Sequence, residues 1–126
     1  MIYRTRKLVK PCDLNGENTL FGGVLLAWLD EECAIYAHCQ LQDAGGKIRL
    51  RTKIISEIDF KSPAYQNDIV EIGVDVLSIG TTSITLTAEV RNHSTKQSIV
   101  TINKIVMVNV DEFGKPKRHG KPHKFA

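Results

Sequence analysis

Three residues carry most of the chemical potential of this chain. Asp30 sits inside an apolar stretch, Val24-Leu-Leu-Ala-Trp-Leu-Asp30, and Gly22 and Gly23 open that stretch. A carboxylate among apolar neighbours carries a desolvation penalty unless it has a partner or a task. Paired glycines at a helix start leave backbone N–H groups at the positive end of the helix, ready to receive an oxygen that carries negative charge. A loop rich in Asp, Asn and Gly, with Asn15 and Asn18, precedes them. Carboxylate, amide donors and a polar loop residue together suit a hydrolytic reaction at a carbonyl.

Spacing adds a constraint. At 1.5 Å per residue the glycine amides stand roughly 10–12 Å from the Asp30 backbone along one helix. A short Asp side chain does not reach a carbonyl held by its own glycines. The pattern therefore favours a site shared by two protomers, glycines from one and carboxylate from the other.

Each residue also has a structural reading. Asp30 could serve a salt bridge or an interface, and the Gly pair could be a tight helix entry. Asn15 and Asn18 suit turns, and the residues alone favour that role. Glu31 and Glu32 read as solvated or interface charges. Cys33, one turn beyond Asp30, reads as a small buried residue, since no His has an evident relation to it. His119 and His123 have helical spacing, but Gly120 and Pro122 argue against a helix there, so no metal site is expected.

The elements that would position these groups follow from periodicity. Residues 2–10 read as a strand broken at Pro11, and 12–21 as a loop. A helix is expected from Gly22 to Leu41, closed at Asp43-Ala-Gly-Gly46. Strands are expected over 48–60, 69–79, 83–91 and 99–110, with Val100, Ile102, Val106, Val108 and Val110 on one face of the last. The helix is apolar almost all round, which predicts a buried helix. One buried helix with about five antiparallel strands gives an α+β fold, a curved sheet wrapped around its helix. Residues 1–114 are expected to form the domain and 115–126 a basic tail, extended or mobile.

The 126 residues, 42% hydrophobic and 25% charged, suit one folded domain. A net charge of +3 is too small for a general nucleic-acid binder. No apolar run reaches the roughly 20 residues of a membrane span, and the N-terminus lacks a signal-peptide stretch. Three cysteines without ligand spacing fit a reducing cytoplasm.

The segment from Pro11 through Asn15, Phe21, Gly22 and Gly23 to Asp30-Glu-Glu resembles the signature of hotdog-fold acyl-coenzyme A thioesterases. The likeness is strongest to the branch of YciA-like and brain-type cytosolic acyl-CoA hydrolases. Phe60-Lys-Ser-Pro63, Asn67-Asp-Ile-Val70, Ile79-Gly-Thr-Thr-Ser-Ile84 and Val110-Asp-Glu-Phe-Gly-Lys-Pro116 have counterparts in the same order. The resemblance implies a five-stranded antiparallel sheet wrapped around a long central helix. It implies a homodimer as the minimal active unit, commonly assembled into hexamers as trimers of dimers. It places the catalytic acid on Asp30, the loop residue on Asn15 and the oxyanion donors on Gly22 and Gly23. Substrate contacts are expected from Phe21, from Gly80, Thr81 and Thr82, and from Arg118.

The implied reaction hydrolyses acyl-CoA with no cofactor beyond the coenzyme A of the substrate. Asp30 would be general base or nucleophile. The rivals are a non-catalytic acyl-CoA-binding module, a hotdog dehydratase, disfavoured by the absence of His from the loop and early helix, and a basic nucleic-acid binder. Three departures stand out, the least of them Asn67, which stands where a Gly-Asp turn is usual. Asn18 replaces a glycine common after the loop Asn, which would let the loop bend differently. Thr81 replaces a basic residue, which shifts phosphate contacts toward Arg118 and nearby lysines.

Overall fold

The computed structural model describes residues 1–124. Strand β1 (Ile2–Leu8) leads through a single helical turn (Pro11–Asp13) to helix α1 (Gly22–Leu41). A second short turn, Gln42–Ala44, precedes β2 (Leu50–Phe60), β3 (Ile69–Ile79), β4 (Ser83–Asn92) and β5 (Ser98–Asn109). Gly45 takes a left-handed φ of 87° and ends the helical segment, a conformation that an added Cβ would strain.

All pairings are antiparallel, in the order β1-β3-β4-β5-β2. Helix α1 packs on β2, β3, β4 and β5. Leu25, Leu29, Cys33, Ala37 and Leu41 form its buried stripe, set against Ile72, Ile84, Leu86, Ile105 and Met107. The fourfold spacing of that stripe keeps it on one side of the helix. Each large side chain so buried contributes about 1.5–3 kcal/mol.

The other flanks of α1 correct the expectation of a helix buried all round. Gly23, Ala27 and Ile35 are exposed, and Leu26, Trp28 and Asp30 are only partly covered. A single curved sheet covers one side of a helix and no more. The edge strand β2 is similarly bare, with Ile54, Ile55 and Phe60 exposed. A long apolar edge beside an apolar helix flank is a surface that a second chain can cover.

The face pattern of β5 also differs from the alternation expected. Val100 and Ile102 are buried, but the buried positions then shift to Ile105 and Met107, leaving Val106 half-covered. The cause is an extra β5 residue between Ala88↔Ile102 and Leu86↔Ile105. Such a bulge moves later side chains to the opposite face.

The basic C-terminal segment is extended but not loose. Lys117 donates its N–H to Asn109 O at 2.8 Å, and Asn109 Nδ2 donates to Lys117 O. His119 is buried, with its ring nitrogen Nε2 at 3.1 Å from Ser83 O. Lys124 pairs with Ile79 in a bridge. Sequence composition suggested an extended or mobile tail; this one satisfies backbone groups at the β4 and β5 ends. Phe125 and Ala126, the last tail residues, lie outside the described residues.

Candidate active site

The loop 12–21 is held by backbone hydrogen bonds, within itself and to Ala64. Asp13 O accepts from Phe21 N–H, Ala64 O from Leu20 N–H and Thr19 O from Asn15 N–H, all at 2.8 Å. Asn15 Oδ1 accepts from the N–H of Glu17 and of Thr19, while its Nδ2 donates to Thr19 Oγ1 at 3.0 Å. The turn role that the residues alone favoured is therefore present. An amide carries two N–H donors, so one remains for another acceptor. Asn18 takes a φ of 60° and Asn67 one of 71°. These are left-handed conformations that Asn tolerates in place of glycine. The bend a glycine would give is kept.

The chain then enters α1 with Phe21 as its N-cap, which has no side-chain acceptor. The first N–H groups of a helix have no intrahelical partner, so the Gly22 and Gly23 amides point out of the helix start. Two aromatic rings flank them. A Cβ on Gly23 would lie 2.7 Å from the Phe21 ring, and one on Gly22 would touch Phe60. Beside Gly22 opens a cavity of about 370 Å³ with exposed Phe60 and Lys61 and half-buried Asn15 on its rim. Asn15, Gly22 and this cavity are thus brought together; Asp30 is not among its walls.

Asp30 lies two turns further along α1, half-covered, and forms no ion pair among the described residues. Its Oδ1 accepts a hydrogen bond from Thr52 Oγ1 at 2.6 Å. Thr52 was not among the sequence candidates. It sits on β2 where the register slips, Thr52 facing Met107 and Ile54 facing Val106. A bulge re-aims a side chain, and here a hydroxyl on the edge strand meets the helix carboxylate. The only sequence signal was a hydroxyl between Leu50 and Ile54, where alternation would place an apolar residue. Cys33, one turn on, is buried. Burial first, then the charges of Asp30 and Glu32, push its thiol up to about 12, which fits packing rather than nucleophilic chemistry.

The expected substrate contacts split in two. Phe21 stands by the glycines. Gly80 donates its N–H to Ser83 O at 2.9 Å, which closes the β3–β4 turn, and Thr82 O accepts from Asn109 N–H at 2.7 Å, which ties that turn to the end of β5. Thr81 Oγ1 lies 2.8 Å from His123 Nε2, and together with Arg118 and Lys121 they line a second cleft of about 370 Å³. Lys121 pairs with Asp43 at 2.8 Å, which sets this basic cleft at the C-terminal end of α1. That pairing holds the Asp43 carboxyl below its usual range. Among the described residues, no helix is long and apolar enough to cross a membrane, and no group of metal-ligating side chains converges.

Residues 17–99 match the family described as the Thioesterase superfamily. A curated relative, the uncharacterized acyl-CoA thioester hydrolase YkhA of Bacillus subtilis, is 30% identical over 113 residues. That match takes in 86% of this chain and 62% of the relative, so the chain spans less than two thirds of its length. Among solved structures, the hexameric thioesterase y2039 from Yersinia pestis is similar with a TM-score of 0.79 at 28% identity, over 90% of this chain and 91% of that one. The acyl-CoA hydrolase from Staphylococcus aureus, solved with butyryl coenzyme A, coenzyme A and coenzyme A disulfide, gives 0.77 at 28% identity. That match covers 90% of this chain and 66% of the hydrolase. The Staphylococcus enzyme has also been solved with one aspartate, one asparagine or one threonine replaced by alanine.

Proposed function

The chain belongs to the thioesterase superfamily, and on that premise we propose that it hydrolyses acyl-CoA to a free carboxylic acid and coenzyme A. The observation that carries the reading is the state of Asp30: a half-covered helix carboxylate with no cation partner among the described residues, oriented by the Thr52 hydroxyl. A carboxylate that is oriented but not neutralised by a cation stays available to take a proton.

In the proposed reaction the thioester carbonyl rests on the Gly22 and Gly23 amides, which stabilise the oxyanion as the tetrahedral intermediate forms. Asp30 of the facing protomer takes a proton from water as the water oxygen bonds to the carbonyl carbon, or attacks that carbon itself. Thr52 holds the Asp30 carboxylate in one orientation. The remaining Asn15 N–H orients the water or the carbonyl. The C–S bond then breaks. A thiol of pKa ~8.5 leaves as thiolate and needs no strong general acid. No cofactor takes part beyond the coenzyme A of the substrate. The aspartate, asparagine and threonine changed in the Staphylococcus enzyme are the same three residue types.

Two protomers are required because Gly22 and Asp30 of one chain lie roughly 10–12 Å apart along α1. The bare β2 edge and helix flank supply the surface for pairing. Further assembly into hexamers accords with the hexameric Yersinia relative. The cleft of Thr81, Arg118, Lys121 and His123 takes the phosphates, where Arg offers bidentate bonds. It adjoins Asp43, roughly 20 Å along the helix from Asp30 but roughly 30 Å from Gly22. The nucleotide therefore sits on the protomer that supplies Asp30. The free thiols and the reaction suit a cytoplasmic enzyme.

The test is thiol release from a panel of acyl-CoAs by the parent, Asp30→Asn and Asn15→Ala. Loss of turnover with retained fold and assembly supports the reading. Equal rates in all three overturn the assigned roles.

A further inference from the structure

The cavity beside Gly22 has a directional chemistry. Its floor is built from core residues: Leu20, Leu25, Ala64 and Ile99 are all buried. Pro63 and Phe60 complete the apolar wall. Its polar groups are Asn15 and the Gly22 backbone beside the loop 12–21, exposed Lys61, and Ser62, whose hydroxyl is committed to Ser98 O at 2.6 Å. A ligand with a polar head and an aliphatic tail fits with its head at Gly22 and its tail over the buried floor at Leu25.

The floor cannot recede, because its residues belong to the close-packed core beneath the helix, and such interiors hold few voids larger than a water molecule. The size is at the low end for ligand pockets, which run from about 300 to 1,000 Å³. Position 25 lies one turn after Gly22 on the same helix, so its side chain stands directly inward of the amides. Ala64 faces it from the segment that follows β2, and its carbonyl ties that segment to Leu20.

We propose that this cavity is the acyl-chain pocket, that it admits short to medium unbranched acyl groups, and that Leu25 and Ala64 set the length limit. This rests on the hydrolase reading given above, and its test separates the two. Parent protein, Leu25→Ala and Ala64→Val are assayed for thiol release from butyryl-, octanoyl- and palmitoyl-CoA. The readout is the ratio of long- to short-chain rates within each protein, which does not depend on how much of a variant folds.

The parent is expected to favour butyryl and octanoyl over palmitoyl. Leu25→Ala should raise the palmitoyl-to-butyryl ratio on the order of tenfold or more, and Ala64→Val should lower the octanoyl-to-butyryl ratio by a similar factor, the usual discrimination per methylene in an apolar pocket. If Leu25→Ala fails to fold, Ala64→Val decides alone. Thiol release with unchanged ratios in the folded variants overturns the pocket assignment and leaves the hydrolase reading standing. No thiol release from any acyl-CoA by the parent overturns both.

Discussion

Thr52 on the edge strand donates its hydroxyl to Asp30 on the helix at 2.6 Å, across a register slip in β2. The bond locks a side chain that otherwise has two soft torsions. Thr52→Val should lower thiol release by roughly ten- to hundredfold, the effect of misplacing a reacting group by about 1 Å, whereas Thr52→Ser keeps most of the rate. Because the bond is exposed, stability should fall by no more than about 0.5–1.5 kcal/mol. Parallel rate and melting measurements check this; a valine variant as fast as the parent removes Thr52 from the mechanism.

Asp30→Asn keeps the size of the side chain and can still meet Thr52. Turnover should drop on the order of 10²- to 10⁴-fold, the usual range for a removed general base. The melting temperature should change little, since Asp30 makes no ion pair among the described residues. Steady-state kinetics beside a thermal melt measure both, and a variant retaining a tenth of parental activity would be too active for the role.

Glu71 on β3 is buried beneath Arg91 at 2.6 Å, His93 at 2.9 Å and Lys96 at 3.1 Å. The His93 hydrogen bond, aided by those from Arg91 and Lys96 and opposed by burial, holds its carboxyl down at about 2, below the ordinary 4.5. A depressed folded-state value adds stability above pH 4.5, and that stability is lost as pH falls from there toward 2. Glu71→Gln should flatten the acid limb of the melting temperature against pH and lower stability at neutral pH by about 1–3 kcal/mol. Identical acid limbs in the two proteins would contradict it.

Arg118 borders the cleft at the helix C-terminus. Arg118→Ala should raise KM for acyl-CoA about tenfold or more with kcat nearly unchanged, the signature of binding energy used equally in ground and transition states. The same variant should treat an acyl-pantetheine, which lacks the nucleotide, as the parent does. A KM that rises equally for both substrates would place Arg118 elsewhere.

How much of this was legible in the sequence can be argued residue by residue. Helix α1 was readable from Gly22 to Leu41 because its caps and its apolar content are local. The strands were readable to within two residues, as alternation is a property of neighbours along the chain. Asp30, Gly22 and Gly23 stood out by type and spacing alone. Thr52 did not, because its role depends on a bulge that exists only once β2 pairs with β5. The face switch in β5 was hidden for the same reason.

The tail and the helix surface mark the boundary most clearly. Lysines, prolines and glycines after Gly114 read as extended or mobile, yet His119 ends buried because the ends of β4 and β5 offer carbonyls that need partners. The apolar circumference of α1 announced burial, but one sheet covers only the stripe from Leu25 to Leu41. Periodicity along the chain determined which elements form, and residue type and spacing which groups stand out as candidates. Pairing between distant segments decided which of those groups meet, since register, bulges and covered faces arise from contacts no local pattern encodes.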